Sequence, residues 1–184
     1  MQKLMNLIRG EMTQSRFLAL TGVILAGICL RLLPMPSNFS PMIAIALFAG
    51  VTYKNKTFGA LLPIMLMALT DIFLGFHGLL VFVYGSMALV SLLGSGIFKE
   101  FGLKTVTLGS LSGSVVFYLV TNFGVWFSGT MYAKSLDGLI TCYIAGLPFL
   151  QNTVLSTLVF SSVLLAIWQL VDKRLLKPVT QVEA

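Results

Sequence analysis

The chain has 184 residues, 57% hydrophobic and only 10% charged, with a mean hydropathy of +0.95. A soluble domain carries about 45–50% apolar and about 25% charged residues, so this composition excludes a water-soluble globular protein and indicates an integral membrane one. Twelve Lys and Arg against six acids give the formal charge of +6, which membrane orientation explains without nucleic acid.

Residues 1–16 carry Lys3, Arg9 and Arg16 and read as a cytoplasmic N-terminal segment. The apolar run Phe17–Leu33 follows. Its charged start resembles a signal peptide, but it has no small-residue cleavage site and precedes more apolar runs, so it is assigned as the first helix. Pro41–Tyr53 is short for a hydrocarbon core of about 30 Å at about 1.5 Å per residue, and is expected to lie partly within the bundle or to re-enter. Phe58–Phe76, Leu79–Phe98, Thr105–Ser128 and Asn152–Val171 complete six spans. Counting Leu136–Leu147 as a seventh would put Lys173, Arg174 and Lys177 outside. Its apolar residues recur at helical spacing, which predicts a short helix on the outer surface, ended by Pro148.

The expected fold is therefore an all-α integral membrane protein with a single transmembrane domain. Its bundle covers residues 17–171 and its tail, 172–184, is cytoplasmic. With both termini inside, Lys3, Arg9, Arg16, Lys54, Lys56, Lys99, Lys104, Lys173, Arg174 and Lys177 all fall on the cytoplasmic side. Only Arg31 and Lys134 fall outside, the asymmetry expected of a protein in the bacterial inner membrane.

This orientation places the unusual polar residues on one side. Polar groups within a membrane are costly and mark function, and an outward pocket of amides, aromatics and one acid suits capture of a small molecule. Asn38, Asp71, His77, Asn122, Trp126, Tyr132 and Asn152 are the candidate ligand-facing residues. Each has a structural reading as well. In "SNFSP", Ser40 fits a helix N-cap with Pro41 at the first helical position. Trp126 and Tyr132 fit an aromatic belt at headgroup level. Asp71 fits an ion pair with Arg31, the charged group at the outer end of another span. His77, six residues after Asp71, does not share its helical face and fits an outer turn.

Small residues recur four apart, Gly22 with Ala26, Ala46 with Gly50, and Gly109 with Gly113, a spacing that lets helices approach closely in lipid. These pairs serve internal packing or docking to a partner's membrane subunit, the latter most plausible for Gly22 and Ala26. Cys29 and Cys142 have neither zinc spacing nor disulfide density and read as small apolar residues. No nucleotide, dinucleotide or zinc-hydrolase motif occurs, one histidine builds no metal cage, and no serine or cysteine has a base beside it. An enzyme is not expected.

The segments "RLLPMPSNFSPMIAIALFAG", "LTDIFLGFH", "VYGS", "TNFGVWFSGTMY" and "CYIAGLPFLQNT" together resemble a widespread family of small bacterial membrane proteins. That family is similar in size and six-helix layout to the substrate-binding S components of energy-coupling factor (ECF) transporters. The resemblance implies a vitamin or cofactor as ligand, captured outside, and a coupling subunit with ATPases as partner. For a corrinoid ligand it implies His77 or Cys142 as a cobalt ligand. The expectation is an uptake protein in which the segment 129–151 closes over the pocket. A proton- or ion-coupled permease with Asp71 as relay, and a membrane assembly factor without transport, are the rival readings.

Overall fold

The computed structural model describes residues 22, 25–27, 29–53, 55–76 and 78–175. Most of the first predicted span, His77 and the tail from residue 176 lie outside the described residues. Five helices are named here: α1 (Met42–Thr52), α2 (Lys56–Leu74), α3 (Leu80–Ile97), α4 (Ser110–Ser128) and α5 (Leu136–Leu175). A π-helical turn, Thr105–Gly109, leads into α4, and residues 29–32 are also helical. Among the described residues there is no strand.

The sequence of α1, "MIAIALFAGVT", is apolar on every side, and a helix of that kind is stable only when fully surrounded. All residues from Met42 to Gly50 are buried, and α1 packs against α2, α3, α4 and α5. Its 11 residues cover about 16 Å, roughly half a hydrocarbon core. Gly50 allows the approach to α3, because a Cβ there would overlap the Ser91 carbonyl. On the α2 side, a Cβ at Gly59 would lie 2.9 Å from the Ala49 carbonyl oxygen.

Lys56–Leu74, Leu80–Ile97, Thr105–Ser128 and Leu136–Leu170 are long and apolar enough to cross a membrane. Their outward faces carry large apolar side chains one turn apart, as at Leu111, Val115, Leu119, Phe123 and Phe127 on α4. Their inward faces carry small residues and hydroxyls. Ser110 donates to Ser161 (3.2 Å) and Ser114 to Thr157 (3.3 Å), a buried seam joining α4 to α5. Apolar groups outside and hydroxyls inside fit lipid as the surrounding solvent, where close backbone approach and interhelical hydrogen bonds drive association.

The predicted small-residue pairs divide between packing and exposure. Ala46 and Gly50 are enclosed with the rest of α1. Gly109 and Gly113 are both buried, so neither offers a face to a docking partner. A Cβ on Gly113 would lie 3.2 Å from Val90 and 3.4 Å from Ile43, and one on Gly109 would lie 3.3 Å from Phe98. Of the two roles expected for this pair, the structure assigns packing: Gly113 lets α4 close on α1 and α3, and partner docking is corrected for both glycines. Gly22 and Ala26 are exposed.

The expected surface helix Leu136–Leu147 is not separate. It forms the first part of α5, with Pro148 inside the helix. Proline removes its own N–H bond and crowds the carbonyl four residues back, a defect that neighbouring helices can compensate in a membrane protein. Just ahead of Pro148, three hydrogen bonds tie α5 to α4. The Tyr118 hydroxyl donates to the Tyr143 carbonyl, the Tyr143 hydroxyl to the Leu119 carbonyl (2.9 Å), and the Cys142 thiol to the Asn122 carbonyl (3.4 Å). These contacts hold residues 142–143 against the bundle.

A candidate binding cavity beneath a proline-rich strap

A cavity of about 680 Å³ opens at the end of the bundle where residues 33–41 and the α4–α5 connection lie. Pockets for small ligands span roughly 300–1,000 Å³ and are mainly apolar with a few placed polar groups. The first turn of α1 forms the floor, through Met42 and Ile43. The walls come from α2 (Met67, Leu74), α3 (Val83, Met87), α4 (Phe117, Thr121, Asn122, Val125) and α5 (Cys142, Ala145, Gly146, Phe149). Five methionines line it: Met35, Met42, Met67, Met87 and Met131. Their unbranched thioethers fill irregular space and adapt to a guest.

Residues 33–40 cross the cavity as a strap. Its prolines, Pro34 and Pro36, disfavour helix and the chain turns at Ser37–Asn38, with the Phe39 amide donating to the Pro36 carbonyl (2.9 Å). Asn38 has φ of 60°, a left-handed conformation that asparagine tolerates better than most residues. The strap is pinned to α5. Asn152 donates from Nδ2 to the Ser37 carbonyl (3.0 Å), Ser156 from Oγ to the Asn38 carbonyl (3.5 Å), and the Phe39 and Phe160 rings meet edge to face at 5.7 Å. At the far end of the strap Pro41, rather than Ser40, occupies the N-cap position of α1, and Ser40 Oγ accepts from the Met42 amide (3.4 Å).

Arg31, at the near end of the strap, reaches from the cavity wall into α2. Nη2 lies 2.7 Å from Asp71 Oδ1, and Nη1 donates to the Met67 carbonyl (3.1 Å) and to the Thr70 hydroxyl. The second carboxylate oxygen of Asp71 accepts from the Tyr84 hydroxyl at 2.6 Å. The Asp71 side chain is 2% exposed and that of Arg31 13%. A buried carboxylate is tolerable when paired and fully hydrogen-bonded, and Asp71 satisfies both conditions.

The structure sorts the predicted pocket residues into two groups. Asn38, Asn122 and Tyr132 line the cavity, together with Arg31 and Cys142. Asn122 donates its amide to the Tyr118 carbonyl (2.9 Å), and its Oδ1 fits against Gly146, where a Cβ would collide with it. Asp71, Trp126 and Asn152 are not among the lining residues. Asp71 sits behind Arg31, and Asn152 holds the strap. Trp126 donates its indole N–H to the Ala133 carbonyl (2.8 Å), and Lys134 lies over its ring at 5.6 Å. Lys134 also caps the end of α4, donating to the carbonyls of Trp126, Phe127 (3.0 Å) and Gly129 (2.6 Å). A cation there satisfies carbonyls that have no intrahelical partner.

The expected closing segment 129–151 is mostly helix, with only residues 129–135 non-helical; Met131 and Tyr132 of that connection line the cavity together with the strap. Sequence reasoning does not single out Tyr84, Thr70 or the methionines. A tyrosine within a span, in "VYGS", is the signal that points to a buried polar partner. His77 lies outside the described residues, and among the described residues no three His, Cys, Asp or Glu side chains cluster as a metal site. The arrangement suits holding a molecule.

No curated protein and no solved structure matches the chain. The model of a family of unknown function, DUF6580, matches residues 11–180. The chain belongs to that family.

Proposed function

We propose that the protein is a substrate-binding membrane component that takes up a vitamin- or cofactor-like small molecule from the outer side of the bacterial inner membrane. The observation that carries this reading is the cavity of about 680 Å³ at one end of the bundle, apolar in its walls and edged by Arg31, Asn38, Asn122 and Tyr132. Its volume suits one drug-sized molecule. In this reading the chain crosses six times with both termini inside, and the sparsely basic end that carries Arg31 and Lys134 faces out. The strap closes over the bound molecule and opens by releasing Asn152 and Ser156. Gly22 and Ala26, exposed to the surroundings of the bundle, offer a face to a coupling subunit that carries ATPases. An S-component-like role would be compatible with action alone or with such a module.

For a corrinoid, Cys142 is the one described candidate for cobalt, and it would first have to release the Asn122 carbonyl. A proton-relay role for Asp71 is less well supported, since both carboxylate oxygens are already engaged. The test is extraction of small molecules from the purified protein, followed by mass spectrometry. A single compound is expected at near-stoichiometric yield in wild type and at reduced yield in Asn122→Ala. Equal yields in the two proteins, or no compound in either, would count against the proposal.

A further inference from the structure

Among the described residues, the cavity has one charged side chain in its lining, that of Arg31. A guanidinium has five N–H donors in a planar fork. Three contacts direct it toward α2: Nη1 to the Met67 carbonyl and the Thr70 hydroxyl, and Nη2 to Asp71. Among the described residues Nε has no hydrogen-bond acceptor, and Nη2 has a second proton beyond the one that Asp71 takes. Nε–H and Nη2–H belong to the edge with which arginine grips carboxylates in a bidentate way. We infer that this edge of Arg31 recognises a single carboxylate on the ligand, whose apolar body then lies among the cavity methionines. The inference rests on the cavity reading above and names the ligand's chemical class.

The choice of a monoanion follows from the charges. Asp71 already balances Arg31, and the Tyr84 hydroxyl stabilises the carboxylate from the opposite side, so the pair as a whole is neutral. Arg31 lines the cavity and Asp71 does not, so Arg31 is the member of the pair nearer the cavity, and the pair presents little net charge there. Beside a neutral pair any ligand charge is uncompensated, so the free N–H donors favour a carboxylate, with one charge to bury, over a phosphate dianion, with two. On α4, which α3 separates from α2, Asn122 Oδ1 offers an acceptor. The ligand class is therefore a compact apolar molecule with a carboxylate at the Arg31 side and an N–H or O–H donor toward Asn122.

The test uses the full chain in phosphatidylcholine nanodiscs. The probes are matched ring-containing carboxylic acids, their primary amides and the corresponding phosphomonoesters, with binding read by saturation-transfer NMR. Acids are expected to bind roughly 10- to 100-fold more tightly than their amides, as a hydrogen bond to a charged group implies. The paired variant Arg31→Met with Asp71→Leu leaves no lone charge and is expected to retain amide binding while losing the preference. Arg31→Lys keeps the ion pair but not the fork, and reduces the preference to a few-fold even if the paired variant does not fold. Equal binding of acids and amides overturns the inference and leaves the cavity reading standing. Tighter binding of the phosphomonoesters, or a preference that survives both variants, overturns it as well. Binding of none of the probes overturns this inference, and overturns the cavity reading too if no compound co-purifies.

Discussion

Asp71 is the residue at which the sequence and the structure meet most directly. An acid in an apolar run must be paired, and the rarity of charge in this chain leaves Arg31 as its natural partner. The contact at 2.7 Å has that geometry. What the sequence leaves hidden is the rest of the network. Tyr84 and Thr70 read as ordinary residues of spans, and only the packing of α2 against α3 brings the Tyr84 hydroxyl to Asp71 Oδ2. The energetics follow from burial. Asp71→Ala strands the Arg31 guanidinium and is expected to cost about 3–5 kcal/mol, as breaking one side of a buried pair does. Tyr84→Phe removes one charge-assisted hydrogen bond and is expected to cost about 1.5–3 kcal/mol. Unfolding in detergent, monitored by circular dichroism, measures both, and equal small effects would show that the network is solvated.

At the scale of elements, the apolar runs are readable because lipid leaves few alternatives to a helix, and four of the five labelled helices follow runs visible in the sequence. Their packing is less visible. Short Pro41–Tyr53 becomes the enclosed α1, a position set by its neighbours on every side. The spacing of Gly109 and Gly113 signals a close helix contact without saying whether the neighbour belongs to this chain or to another, and only the burial of Gly113 against Val90 and Ile43 decides it. Gly50 is the position that makes the enclosure of α1 feasible. Gly50→Ala is expected to cost about 1–3 kcal/mol by overpacking against α3. Gly85→Ala, where a Cβ meets nothing within 4 Å, is expected to stabilise by about 0.5–1 kcal/mol through helix propensity alone. Thermal unfolding of the two variants in parallel checks the contrast, which a loose α1–α3 contact would erase. Pro148 misleads for a related reason. The helix runs on through it, and residues 142–143 just ahead of it are tied to α4 by hydrogen bonds that the sequence does not reveal. Spin labels at Ile140 and Leu155, both exposed, should lie about 22 Å apart along a continuous helix. A markedly shorter separation by pulsed electron resonance would indicate a sharp bend at Pro148.

For the whole molecule, composition makes the membrane setting legible, and the side on which polar residues cluster points to the cavity end. Asn38, Asn122 and Tyr132 do line the cavity, but composition does not distinguish a lining residue from one that holds the lining in place. Asn152 and Trp126 spend their polar groups on the Ser37 and Ala133 carbonyls, partners that only the folded chain supplies. The strap is equally hidden, since its role depends on two contacts between residues 115 and 118 positions apart in sequence. The central claim is that the space beneath this strap holds a small molecule. Ala145, exposed on the cavity wall, can be replaced by Trp to fill that space, with Leu119→Trp on the outward face of α4 as a control. Native mass spectrometry of wild type and both variants is the most direct test. The account predicts a bound mass in wild type and Leu119→Trp that is lost in Ala145→Trp, and a mass that persists in Ala145→Trp would contradict it.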